Sequence, residues 1–115
     1  MTGAIFAGLA VALGAFAAHA MKAHYDADAL RTFETGVRYQ MFHALALLVC
    51  GALQARGMAT LVASRLFAAG IVLFSGSLYG LALTEAKWLG PVTPIGGVLF
   101  LAGWVALAIA SRQRT

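Results

Sequence analysis

Charged residues are scarce in this chain, and acidic residues are the scarcest. Its 115 residues include four Asp and Glu against eight Lys and Arg. Charged residues make up 10% of the sequence, whereas soluble domains carry about 25%. Hydrophobic residues make up 62%, and the mean hydropathy is +0.87. This composition excludes an ordinary soluble domain and is typical of an integral membrane protein.

Motifs for catalysis and covalent cross-links are also lacking. Cys50 is the one cysteine, so no disulfide can form within the chain. No phosphate loop, G-x-S-x-G or C-x-x-C motif occurs, and no acid lies in the middle of a long apolar run, which argues against a proton-driven transporter. The net charge of +4 comes from single basic residues at segment ends, which argues against nucleic-acid binding.

The chain does contain four long apolar runs. They predict helices over about 3–20, 29–54, 66–84 and 94–110, each long enough to cross a bilayer. Asp28 is expected to cap the second helix, and Thr93 the fourth, with Pro94 in its first turn. We therefore predict an all-α fold: one transmembrane domain over residues 1–115, built as a four-helix up-down bundle with an interfacial helical extension before helix two.

Four crossings place both termini on one side of the membrane, and basic residues are divided equally between the two sides. The side of the termini carries Arg56, Arg65, Arg112 and Arg114. The opposite side carries Lys22, Arg31, Arg38 and Lys87. The positive-inside rule counts basic residues, so it favours cytoplasmic termini once Arg38 is drawn into the membrane.

Polar side chains collect at one end of the predicted bundle. Residues 33–48 begin polar and end apolar, as in a helix that enters the bilayer from its interface. The adjoining helix ends add further polar residues in the leaflet away from the termini. The candidates for binding a lipid or a partner are His19, Glu34, Arg38, Tyr39, Gln40, His43, Ser77, Tyr79 and Thr93.

For each of these residues, a role in ligand binding or catalysis is weighed against a purely structural role. Glu34 and Arg38 are four apart with the acid first, which favours a structural ion pair, although the arginine also suits a lipid phosphate. His19 and His43 have no recognised metal-ligand spacing, so hydrogen bonds between helices are favoured over a metal site. Glu34 and His43 lie on opposed helix faces, which argues against an acid–base pair. We predict no catalytic residue, metal or cofactor.

Small residues recur at helical spacing and predict close contact between membrane helices. Gly8 and Gly14 belong to two such rows in helix one. Gly76 and Gly80 form a G-x-x-x-G motif in helix three, which favours a packing face within the bundle over a dimer face.

Four segments together resemble the domain-of-unknown-function 423 family of small bacterial inner-membrane proteins, which is similar to the animal transmembrane protein 256. The segments are residues 13–19, 33–46, 74–79 and 93–97, in the family's order. One departure is Ala17-Ala18-His19-Ala20, where the family suggests Gly-Ala-His-Gly. The resemblance implies a multi-pass protein of the bacterial inner membrane and no settled activity, so no catalytic residue is carried over.

The leading functional hypothesis is a non-enzymatic membrane module. It would form a homo-oligomer, or bind membrane lipids or another membrane protein, through the polar cluster. One alternative is a small enzyme acting on a lipid with His19, Glu34, Arg38, Tyr39 and His43, which requires these side chains to line one open pocket. The other is a channel or transporter at an oligomer axis, which requires a polar path through both leaflets.

Overall fold

The computed structural model describes residues 1–112 and contains four long helices. They are α1 (Thr2–His19), α2 (Ala27–Ala55), α3 (Leu61–Thr84) and α4 (Val92–Arg112). Each lies in a span that is long and apolar enough to cross a membrane. The fold is therefore all-α with four candidate crossings, as the sequence predicts. Arg114, counted above for orientation, lies outside the described residues.

Helix ends follow local capping chemistry and differ from the sequence prediction in detail. The Asp26 side chain, not that of Asp28, caps α2, because it accepts a hydrogen bond from the Ala29 N–H at 2.8 Å. At the other end, Gly57 adopts a φ of 92° and Met58 N–H donates to Leu53 carbonyl, which is a Schellman cap. The interfacial extension expected before helix two is thus the first turns of α2 itself.

The third and fourth helices also begin earlier than predicted. The α3 helix starts at Leu61, directly after Thr60, whose hydroxyl donates to the Cys50 carbonyl at 2.7 Å and ties the link to α2. Thr93 is not the cap of α4, since the helix begins at Val92 and the Thr93 hydroxyl bonds instead to Ser77. Side-chain contacts across helices therefore override the local capping signals.

The four helices pack in chain order, with α2 and α3 in the middle and α1 and α4 outermost. Buried residues make up 39% and 33% of the apolar windows in the inner spans but 17% in each outer span. The helices run alternately up and down. We call the side with Met1, residues 56–60 and Arg112 the terminal side, and the side with residues 20–26 and 85–91 the far side.

The closest helix contact joins α3 to α4. A Cβ added at Gly96 would lie 2.4 Å from the Phe74 backbone nitrogen, so only glycine permits this approach. Gly70 and Gly103 likewise accommodate the Phe100 and Phe67 rings. Within α3, the segment Ile71–Ser75 forms a π turn between two α-helical stretches. The contact and the turn meet at Phe74.

Two apolar clusters fill the interior. One joins α2, α3 and α4 around the buried residues Cys50, Phe67 and Phe100. The other, nearer the far side, joins the end of α1 to α2 and α3 around Met21 and Phe33. The polar side chains described next lie between and beside these clusters.

Candidate functional site

Gln40 connects three helices through a buried hydrogen-bond chain. Its Nε2 donates to the Phe6 carbonyl of α1 at 2.7 Å, and its Oε1 accepts from the Tyr79 hydroxyl of α3 at 2.6 Å. Gln40 is 3% exposed, so water cannot replace these partners. Close by, the Ser75 hydroxyl donates to the Gly36 carbonyl at 2.7 Å. These bonds lock α1, α2 and α3 together.

His43 makes the corresponding link to α4. The Trp104 indole N–H lies 3.0 Å from His43 Nε2, and His43 Nδ1 lies 2.8 Å from the Tyr39 carbonyl. An indole N–H only donates, so Nε2 is the acceptor and Nδ1 carries the proton that goes to the carbonyl. The ring also stacks on Phe100 with centroids 3.6 Å apart. His43 therefore has both nitrogens engaged and one face covered.

A third bond pairs the ends of α3 and α4 near the far side. The Ser77 hydroxyl donates to the Phe74 carbonyl at 2.9 Å and lies 2.6 Å from the Thr93 hydroxyl. Since the Ser77 proton is committed to the carbonyl, Thr93 is the donor to Ser77. Five of the nine candidate residues are thus used to hold the helices together: Gln40, His43, Ser77, Tyr79 and Thr93.

The interior polar groups are fully satisfied. Within residues 1–112, no buried side-chain nitrogen or oxygen lacks a hydrogen-bond partner. We call these five residues the interior network. Such closed contacts rigidify a bundle but leave no free group for a substrate.

The other four candidates are exposed, at depths that range from the far-side end of α1 to about the level of Gln40. His19, Glu34, Arg38 and Tyr39 form what we call the far-side rim. The predicted ion pair between Glu34 and Arg38 does not form; among the described residues, the ion pair on α2 joins Arg31 to Asp28. Holding two long exposed side chains in one geometry costs entropy that a surface pair barely offsets. Arg38 is left without a hydrogen bond or ion pair within residues 1–112.

The nine candidates lie at different depths along the bundle. Gln40 is bonded to Phe6, the fifth residue of α1 counted from the terminal side, and His43 to Trp104, past the middle of α4. Both therefore lie near mid-depth, deeper than the sequence suggests, because the first turns of α2 extend beyond α1. Pairing makes this depth tolerable for polar side chains. His19, at the far end of α1, does not meet His43.

No metal site is evident among the residues described. No group of three or more His, Cys, Asp or Glu side chains converges there. His43 has both nitrogens occupied, and His19 is exposed at a helix end. The arrangement agrees with hydrogen bonding as the role of His43.

Three surface grooves lie away from all nine candidates. One, of about 470 Å³, is on the far side between the start of α2 and the end of α3, and is lined by Asp26, Asp28, Glu85 and Lys87 among others. An adjoining groove of about 250 Å³ shares Asp26 and Glu85 and adds His24. A third, about 240 Å³, is lined by Ala59, Val62, Ala106, Ile109 and Ala110.

The structure also distributes the packing glycines differently from the sequence expectation. A Cβ at Gly8 or Gly76 would meet no atom within 4 Å, so neither packs against another helix of this chain. Gly14 has an ordinary contact with Val37, whereas a Cβ at Gly80 would lie 2.6 Å from the Leu89 side chain, so Gly80 is a site of close packing as predicted. The tightest contact falls at Gly96, which was not among the predicted packing glycines.

Trp104 and Ser75 complete the buried bonds, although the sequence reasoning did not select them. A tryptophan in the middle of a membrane helix carries a signal of its own, since its N–H needs a partner away from the interface. Ser75 carries no comparable signal, because serine in a membrane helix usually bonds its own backbone.

Comparison with known proteins finds a matching family model and several similar membrane proteins. A family model described as "Protein of unknown function (DUF423)" matches residues 13–97. A UPF0382 membrane protein of Staphylococcus aureus is 46% identical over 110 residues, covering 95% of this chain and 90% of the relative. The UPF0382 membrane protein YwdK of Bacillus subtilis is 46% identical over 112 residues, covering 95% and 91%. One from Haemophilus influenzae is 48% identical over 103 residues, covering 88% and 82%. No solved structure matches the chain.

Proposed function

Since the chain belongs to the DUF423 family, whose relatives are membrane proteins of unknown function, we propose that it is a non-enzymatic membrane module that binds phospholipid headgroups through the far-side rim. The interior network holds the bundle in the shape that presents this rim. Arg38 is the central residue, with Tyr39 next to it in the chain and Glu34 one turn nearer the far side, while His19 lies at the far-side end of α1.

The exposed guanidinium of Arg38 is the observation that carries the proposal. Arg38 lies on the outward stripe of α2 with Phe42, Leu45 and Val49, all about half exposed. Such a stripe faces acyl chains, where an unpaired charge is costly. The side chain points toward the N-terminus of its helix, which here is the far side. A lipid phosphate is the partner that this position offers, and arginine binds phosphate through two parallel hydrogen bonds.

The enzyme alternative receives less support. Its five residues do not line one pocket, because His43 is closed in by Phe100 and Trp104 while the other four are exposed. A channel within one chain is also disfavoured, since the polar groups near mid-depth are bonded to each other across helix contacts. The enzyme would need a shared pocket, and the channel a polar path, that forms only when several copies of the chain assemble.

A homo-oligomer is a second candidate. The outward face of α1 is exposed around Gly8, with Ala4 and Ala12 one turn away on either side, and a Cβ at Gly8 meets nothing. Small residues on a lipid-facing helix allow a second helix to approach closely. Replacing Gly8 with Leu should lower the oligomer mass in mild detergent if α1 forms the contact, whereas an unchanged mass argues against it.

For location, we propose the bacterial plasma membrane, which is the inner membrane where two are present, with both termini in the cytoplasm. A membrane-impermeant maleimide tests the orientation in intact cells. Lys22→Cys on the far side should be labelled, while Arg56→Cys on the terminal side should stay unlabelled until the cells are opened. The opposite pattern would reverse the orientation.

Lipid retention tests the leading proposal directly. The protein is purified in mild detergent with defined anionic and zwitterionic phospholipids, and bound lipids are counted by native mass spectrometry. Arg38→Ala should lose bound lipid several-fold, since it removes the phosphate contact. Arg31→Ala is the matched control, because Arg31 lies on the same helix but is paired with Asp28. Equal retention in both variants would refute the proposal.

A further inference from the structure

Arg65 is a second unpaired arginine, set into the opposite side of the bundle. It lies one turn inside α3 on the outward stripe that also carries Val62 and Val72, which are 64% and 60% exposed. Within residues 1–112 its guanidinium has no hydrogen bond or ion pair. Its side chain points toward the N-terminus of α3, which is the terminal side. Arg38 and Arg65 therefore point toward opposite membrane surfaces.

Two hydrogen bonds fix the relative depth of these arginines. Ser75 of α3 is level with Gly36, and Thr60, directly before α3, is level with Cys50. Interpolation between the two bonds places Arg65 level with Leu45. Arg38 and Arg65 are then about seven residues apart along the bundle axis, or roughly 11 Å at 1.5 Å per residue.

This separation is small for a membrane protein. An arginine side chain reaches about 6 Å when it extends along the membrane normal. Even with both fully extended, the two guanidinium groups are roughly 23 Å apart, whereas the hydrocarbon of a typical bilayer is about 30 Å thick. The outer helix α1 is also short, since its 18 residues span about 27 Å before any tilt.

We infer that Arg38 and Arg65 each hold a phospholipid phosphate below the plane of the surrounding headgroups, one in each leaflet, so that the chain fits and produces a locally thin membrane. Thinning the bilayer costs a fraction of a kcal/mol per Å, less than leaving an arginine in hydrocarbon. The inference rests on the proposed function for Arg38. It adds a second phosphate site at Arg65 and a locally thin bilayer around the protein. The two arginines require only the phosphate group of the lipid, so the rest of the headgroup is free to vary.

Vesicles of graded thickness test this inference. Wild-type protein and variants are reconstituted in phosphatidylcholines with monounsaturated chains of about 14 to about 22 carbons. The midpoint of thermal unfolding is followed by tryptophan fluorescence. The wild-type midpoint should be highest in the thinnest fluid bilayers and should fall as the chains lengthen. Arg38→Leu and Arg65→Leu should each move the optimum toward longer chains, by about two to three carbons per chain.

The control is Arg31→Leu, which removes an arginine that is paired with Asp28 on the protruding start of α2. It should leave the optimum where it is. A wild-type optimum in bilayers of ordinary thickness would overturn the inference, as would an equal shift in Arg31→Leu. If Arg38→Ala loses bound lipid but no arginine variant moves the optimum, the proposed function stands and the thickness inference falls. If the optimum moves while Arg38→Ala retains as much lipid as the wild type, the proposed function falls and the inference falls with it, because the shift then does not come from a bound phosphate.

Discussion

The interior network and the far-side rim both consist of polar side chains, but those of the network are hydrogen-bonded within the bundle and those of the rim are exposed. In the network, each polar group of Gln40 and His43 is bonded at 2.6 to 3.0 Å to a second helix or to its own backbone. On the rim, Glu34 and Arg38 are exposed and do not pair even with each other. In a bilayer, a polar group left alone must find a lipid or a protein partner. The difference therefore separates residues that build the bundle from residues available for binding.

The largest effect should come from the tight helix contact beside the network. Gly96→Leu would place a side chain against the Phe74 backbone, where even a Cβ would lie at 2.4 Å. We expect a loss of about 3 kcal/mol or more in the free energy of unfolding in mixed micelles. Gly76→Leu on the outward stripe of the same bundle is the control and should cost far less. Similar losses in both would remove the contrast between interior and surface.

A smaller loss is expected when the network is cut at its centre. Gln40→Leu removes the acceptor of the half-buried Tyr79 hydroxyl and the donor to the Phe6 carbonyl, which should lower the free energy of unfolding by about 1 to 3 kcal/mol. Adding Tyr79→Phe removes the hydroxyl that lost its acceptor and should recover part of the loss. Strict additivity of the two single variants would show that the bond between them contributes nothing.

Cutting the link between α2 and α4 should cost less again. Trp104→Phe removes the indole donor to His43 while keeping an aromatic ring against Phe67, which lies 4.8 Å away by centroids. Hydrogen bonds between membrane helices average about 0.6 kcal/mol, so we expect a loss of about 1 kcal/mol. Trp88→Phe, at an exposed position beyond α3, is the control in the same unfolding measurement. A loss as large in Trp88→Phe would mean that the His43 bond is not responsible.

The rim should show the smallest change in stability. Arg38→Ala removes no hydrogen bond or ion pair within the described part of the chain, so the free energy of unfolding in detergent should change by less than about 0.5 kcal/mol. The same variant is expected to lose bound lipid. A loss of stability comparable to that of Gln40→Leu would place Arg38 with the network instead of the rim.

The crossings follow from the sequence because they depend on composition and run length alone. Four apolar runs are long enough to span a bilayer, and the structure has four such spans among the described residues. Helix ends were less predictable, since Asp26 and Asp28 are equally good caps by residue type. The choice between them depends on which carboxylate meets the Ala29 N–H. Thr93 failed as a predicted cap because Ser77, sixteen residues away, takes its hydroxyl.

The division of the candidate site could not be read from the sequence. Arg38, Tyr39, Gln40 and His43 are adjacent in the chain, and a helical wheel separates their directions but does not say which direction is covered. That depends on Phe6, Tyr79 and Trp104, which come from three other helices. Gly76 was misplaced as a packing glycine for the same reason: Gly96 and Gly76 look alike until their neighbours are known.

The π turn at Ile71–Ser75 has a consequence for comparing relatives. A π turn holds one more residue than the same length of α-helix, so the side chains after it are rotated relative to those before it. Arg65 and Tyr79 therefore do not keep the angular relation that an ideal helix would give them. A natural deletion of one residue within the turn would convert it to ordinary α-helix and leave Tyr79 facing Gln40. A deletion elsewhere between Arg65 and Tyr79 would swing Tyr79 away and should appear together with substitutions at Gln40, a covariation that a count of apolar residues would miss.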